Sequence, residues 1–131
     1  MAKCIAVVRC DIDPEQEDAF NTFYNRKHLD VALRTPGFMN AQRFRLIKET
    51  KPADWNHVLA TRFSSSCPEQ KYMALYELES ASLVERLPQY QENKDSVAEF
   101  LEWAGSLRNV SATFYEAITE VRTSAKLPVG R

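Results

Sequence analysis

His28 is one of two histidines in the chain, and an imidazole with an unperturbed pKa near ~6.5 can pass a proton in either direction around neutral pH. Tyr24 precedes it by four residues and Asn25 by three. On a helix both spacings bring side chains together. A tyrosine or an amide in that place can fix the imidazole tautomer or hold a substrate oxygen, so His28, Tyr24 and Asn25 form the catalytic candidate. The plainer alternative is a partly buried helix histidine that only packs. Arg43 and Arg45 alternate along an apolar-polar stretch, and Arg9 lies in the first one. Arginines beside a cavity bind carboxylates or enolates and stabilise charge that develops during reaction. The alternative is ion pairing with Asp11, Glu77 or Glu79. Tyr72 and Tyr76 share a strand face and could donate to a substrate carbonyl or simply pack. Trp55 and His57 lie in a long connection. They could form a lid that excludes water or part of a dimer contact, with His57 as a second acid/base group.

Other chemistries find little support. The chain has three glycines, too few for a phosphate-cradling loop, and no GxSxG nucleophile motif. The cysteines are Cys4, Cys10 and Cys67, an odd number without a CxxC pair. Reduced thiols in a cytoplasmic protein are expected, with no metal centre. Cys4 and Cys10 would sit ~20 Å apart on one strand, too far to bridge. Net charge is −1 and no basic run occurs, so neither nucleic acid nor an anionic membrane is an expected partner. Arg9 and Asp11 break the apolar N-terminal stretch, which therefore reads as neither signal peptide nor membrane span.

The elements that must position these residues follow from period and punctuation. With 131 residues, one domain over 1–131 is expected. Cys4 to Asp11 is rich in Ile, Val and Ala and reads as a buried strand. Asp13 stands at an N-cap and Pro14 at the first helical position. In the helix that follows, Phe20, Tyr24, His28 and Val31 recur at helical spacing, and Thr35-Pro36-Gly37 ends it. Phe38 to Leu46 alternates as a second strand, with Met39, Ala41, Arg43 and Arg45 on one face and Phe38, Asn40, Gln42 and Phe44 on the other. An insert spans about 47–70, in which Trp55 to Phe63 could be a short strand or helix. Lys71 to Leu78 is a strand with Tyr72, Ala74 and Tyr76 on one face. Ser80 or Ser82 can cap a helix broken at Pro88. A second helical stretch runs from about Ser96 to Ala104, with Gly105 closing it, and Asn109 to Val121 reads as the last strand. The tail 122–131 reads as irregular or as reaching onto a partner. The order β-α-β-β-α-β is that of an α+β, ferredoxin-like fold with an antiparallel sheet. Helices on one face leave the other bare, and sheet-to-sheet homodimerisation is the simplest cover.

The segments DIDPEQEDAFNTFYNRKHLDVALRTPGFMNAQRF and KYMALYELES resemble the EthD-like family of the dimeric α+β barrel superfamily. The resemblance rests on Phe20-Asn21, Tyr24-Asn25, His28, Pro36-Gly37-Phe38, Arg43-Phe44 and the Tyr-x-Ala-x-Tyr-Glu strand at Tyr72 to Glu77. It implies a dimeric barrel and acid/base chemistry at a histidine near position 28. The expectation is a cofactor-independent lyase, cyclase or isomerase. It would act by His-mediated proton transfer on a small aromatic or polyketide-like carbonyl or carboxylate compound. The alternative is a non-catalytic small-molecule-binding or accessory protein using the same cavity. A haem- or oxygen-using barrel is a weaker third option. A fold does not fix a function, so the site must decide.

Overall fold

The computed structural model describes residues 3–51, 54, 57–62, 70–79 and 93–125. Four antiparallel strands form one sheet: β1 (Cys4–Ile12), β2 (Phe38–Arg45), β3 (Tyr72–Leu78) and β4 (Leu107–Glu116), in the order β2-β3-β1-β4. The apolar β1 is central, paired with β3 through Cys4↔Leu78 to Cys10↔Tyr72 and with β4 from Cys4↔Glu116 to Ile12↔Leu107. A strand hydrogen-bonded on both edges has no need of polar side chains to shield it.

A helical run follows β1: a 3₁₀ turn (Pro14–Gln16), α1 (Glu17–Phe23), a π-helical turn (Tyr24–His28) and α2 (Leu29–Ala32). The Leu29 N–H bonds to the Tyr24 carbonyl, one residue further back than in an α-helix. The periodic residues Phe20, Tyr24, His28 and Val31 are all buried, as their spacing predicts. They meet alternate residues of the strands. Cys4, Ala6, Cys10, Tyr72, Ala74, Tyr76 and Leu78 form the core with Phe20 and Tyr24. Two further helices are α3 (His57–Arg62) and α4 (Lys94–Leu101). Thus the ambiguous part of the insert contains a helix, whereas the Pro88 region and Cys67 lie outside the described residues, as does Trp55.

Several local expectations are corrected. The Asp13 side chain does not cap the first helix. Its carbonyl accepts from the Gln16 N–H at 2.9 Å, and its carboxylate is taken by Arg108 at 3.3 Å. A register shift between Phe38 and Asn40 moves Phe38 onto the face of Ala41 and Arg43, where its ring lies 5.3 Å from that of Tyr76. The α4 helix begins two residues earlier than Ser96. Asn93 caps it, accepting from the Ser96 N–H at 3.2 Å. It ends at Leu101 because Trp103 and Ala104 bond three residues back, tightening the turn. The last strand is 107–116 rather than 109–121: its ladder with β1 ends at Cys4↔Glu116, closed by one further bond from the Ala117 N–H to the Lys3 carbonyl at 2.7 Å. Residues past it are exposed, Ile118 almost fully.

The face of the sheet away from this core carries Ile5, Val7, Met73, Leu75, Phe44 and Tyr115 by register, the last two exposed at 41% and 50%. Among the described residues no helix is long and apolar enough to cross a membrane.

Candidate functional site

The sheet and the helices line a half-open cavity of about 480 Å³. Ala6, Val8, Phe38, Phe100, Ala112 and Phe114 give it apolar walls. The walls are supplied by the residues that alternate inward on β1 and β4 and by the apolar stripe of α4. Such volume and lining suit a small, mostly apolar ligand oriented by a few polar groups.

His28 lines this cavity and is only 3% exposed. Its Nδ1 lies 3.1 Å from Glu99 Oε1, a carboxylate carried by α4. A carboxylate accepts, so Nδ1 holds the proton and Nε2 keeps its lone pair. Nε2 has no partner among the described residues. No buried side-chain nitrogen or oxygen among them is left unpaired, so Nε2 opens onto free space. Burial lowers the His28 pKa from 6.5, partly offset by Glu99, and Arg43 lowers it further. At neutral pH the imidazole is therefore a neutral base. Phe23, Tyr24 and Phe100 hold its ring, with the Tyr24 ring edge-on at 4.7 Å.

Tyr24 and Tyr76 also line the cavity. Their hydroxyls lie 3.1 Å apart. Two hydroxyls carry two hydrogens and this bond uses one, so the other can donate to a ligand. Burial raises the pKa of both phenols, which keeps them protonated donors. Asn93, Thr35 and Ser96 form a further polar cluster on the lining: Asn93 Nδ2 donates to Thr35 Oγ1 at 2.8 Å and to the Val31 carbonyl, and Asn93 Oδ1 accepts from the Ser96 backbone N–H.

The residues expected from sequence divide into two groups. His28, Tyr24 and Tyr76 are brought together in the cavity. Arg43, Arg45, Tyr72 and Asn25 line a separate polar cleft of about 260 Å³, with Asn21 and Phe44. Asn25 does not turn toward His28. It is exposed, and its Oδ1 accepts from Arg43 Nη1 at 2.8 Å. Arg9 alternates onto the other face of the sheet, where it donates to Thr113 Oγ1 at 3.3 Å. His57 is exposed on α3. Among the described residues no cluster of His, Cys, Asp or Glu could hold a metal ion. Cys4 and Cys10 are buried free thiols, and burial pushes Cys10 up to about 11, which leaves it an inert thiol.

Two contributors escaped the sequence reading. Glu99 lies 71 residues from His28, and only the packing of α4 joins them. Asn21 had a usable signal: it precedes Asn25 by four residues, on the same helical row.

No family model and no curated protein matches the chain. Solved structures do. An ethyl tert-butyl ether D (EthD) family protein from Bacillus halodurans superposes with a TM-score of 0.54 at 18% identity, over 90% of this chain and 100% of its own. SnoaB, a cofactor-independent oxygenase from Streptomyces nogalater, gives 0.56 at 11% identity, over 92% and 98%. A dimeric ferredoxin-like protein of unknown function from Thermobifida fusca gives 0.53 at 11% identity, over 88% and 92%. The chain therefore has the ferredoxin-like α+β fold that the EthD family structure also carries.

Proposed function

We propose that the apolar cavity is the active site of a cofactor-independent enzyme that moves a proton on a small carbonyl compound. His28 Nε2 takes the proton from the carbon next to the carbonyl, so the C–H bond breaks and its electrons pass to the carbonyl oxygen as an enolate. The hydroxyl hydrogen left over from the Tyr24–Tyr76 pair donates to that oxygen. Glu99 keeps the proton on Nδ1 and so keeps Nε2 basic. Returning the proton elsewhere gives isomerisation; attack of the enolate carbon on a second carbonyl of the same molecule opens that C=O bond to an alkoxide, which takes the proton back from His28 and completes a cyclisation. The lining favours an aromatic or polyketide-like body. The observation that carries this reading is a buried, carboxylate-held histidine beside an apolar cavity, its second imidazole nitrogen having no partner among the described residues. SnoaB, of the same fold, is a cofactor-independent oxygenase, which is compatible with a barrel of this kind working on its own side chains.

The test is exchange of a carbon-bound hydrogen in D2O across a panel of aromatic β-dicarbonyl compounds, read by mass spectrometry. His28→Ala is expected to lose ~10²-fold or more of the exchange rate while still binding the active compound. Full exchange in that variant overturns the assignment. Tight binding of panel compounds without exchange in the native protein favours a binding or accessory role instead.

The open sheet face is covered, in the same proposal, by a second copy of the chain. Ile5, Met73, Leu75, Phe44 and Tyr115 make it too apolar to face water alone. The Thermobifida protein of this fold is dimeric. Sedimentation is expected to give a dimer at micromolar concentration, and a stable monomer there contradicts it.

A further inference from the structure

Arg43 is drawn inward by the fold with no acid to meet it among the described residues. Its Nη1 donates to Asn21 Oδ1 at 3.0 Å and to Asn25 Oδ1 at 2.8 Å. Its Cζ lies 4.3 Å from the centroid of the Tyr24 ring and 5.2 Å from that of Tyr72. Every one of these partners is neutral. No ion pair joins Arg43 to a carboxylate among the described residues.

The nearest acid in its hydrogen-bond network is Glu17, and it is already answered. Asn21 Nδ2 donates to Tyr72 Oη at 2.9 Å, and Tyr72 Oη donates to Glu17, which pairs with Lys71. That chain fixes the Asn21 amide with its oxygen toward Arg43. It also leaves the arginine's charge uncompensated. The ring faces offset part of the cost of partly burying a guanidinium. They do nothing for Nε and Nη2, which carry three hydrogens and have no partner among the described residues. Neither atom is sealed away, since no buried side-chain nitrogen or oxygen among those residues lacks a hydrogen bond. Nε and Nη2 share one edge of the planar group, the fork that matches two oxygens of one anion. Arg45 stands two residues on, toward the same cleft, exposed and outside any ion pair among the described residues.

We propose that the cleft bounded by Arg43, Arg45, Asn21, Asn25 and Tyr72 is a binding site for the oxyanion group of a small ligand, a carboxylate or a phosphoryl group. The anion bridges the Arg43 fork and reaches Arg45. The amides of Asn21 and Asn25 hold the guanidinium in place without neutralising it. A volume of about 260 Å³ suits a charged head group rather than a whole aromatic metabolite. This site is distinct from the cavity at His28, with which it shares no lining residue, and it does not depend on the reaction proposed there.

Calorimetric titration at low ionic strength with inorganic phosphate, and separately with benzoate, tests it. Saturable binding of at least one is expected. Arg43→Lys keeps the charge but loses the fork, and should weaken binding roughly tenfold or more. Arg45→Gln, at an exposed position that the core does not need, should weaken it severalfold. His28→Ala should leave it unchanged. The tighter of the two probes identifies the oxyanion as carboxylate or phosphoryl. Absence of saturable binding by either, or equal affinity in Arg43→Lys and Arg45→Gln, overturns the proposal and leaves Arg43 as a clamp between helix and sheet.

Discussion

The Tyr24–Tyr76 pair has two unlike neighbourhoods. On one side is a cavity with mostly apolar walls that offers a neutral imidazole nitrogen and a hydroxyl hydrogen to spare. On the other is a cleft with hydrogen-bond donors in excess and a permanent positive charge. The difference teaches how one small sheet face can carry both a base and a cation. Arg43 already helps to lower the His28 pKa. Lying under the Tyr24 ring, it keeps that influence while its donors point away from the cavity.

The largest effect should come from removing what both neighbourhoods rest on. Phe20 is fully buried, 5.5 Å from the Tyr24 ring and 5.3 Å from Trp103, with Arg43 Cζ at 5.6 Å. Phe20→Ala should cost ~3–5 kcal/mol in urea denaturation. A cost below ~1 kcal/mol would mean that the two regions do not share a core.

Next comes the partition itself. Tyr24→Phe or Tyr76→Phe alone strands a buried hydroxyl and should cost ~1–3 kcal/mol, whereas the double variant should cost no more than either single change. Additive losses in that cycle would show that the hydroxyls are held by something other than each other.

The smallest effect separates the two sides by pH. A histidine whose pKa is lowered by folding binds its proton more readily in the unfolded chain. Its contribution to stability is complete above the unfolded value of 6.5 and is lost as pH falls from there through the lowered folded value. Chemical denaturation at pH 7.5 and pH 5.5 should therefore show a loss at the lower pH, and His28→Gln should flatten it. The flattening should be absent in Arg45→Gln, on the cleft side. A pH response equal in all three proteins would place its origin elsewhere.

What the sequence made legible was periodicity. Phe20, Tyr24, His28 and Val31 repeat along one helix, and all are buried. Tyr72 and Tyr76 share a strand face as expected, and the structure makes it the face toward the helices. The sequence could not announce pairings across distant elements, such as Glu99 with His28 or Asn21 with Tyr72. A bulge is equally silent: Phe38 changes face because of a register shift that no residue type at that point signals. The expected trio of His28, Tyr24 and Asn25 failed at Asn25 for a related reason. Spacing says which side chains can meet, and Arg43 on β2 offered Asn25 a charged donor.

The wide turn at Tyr24–His28 has a consequence for how this protein can change over generations. Substitution alters a site one side chain at a time. Loss of a single residue from 25–27 would instead tighten the turn into ordinary helix, and because the wide turn holds one residue more than an α-turn, the stretches on either side would keep their places. Phe20 and Tyr24 would stay under the sheet and His28 beside the cavity, one position nearer Tyr24 in the chain. A one-codon deletion is thus a trim this fold can absorb, taking up slack in the turn while leaving the walls of the cavity where they were.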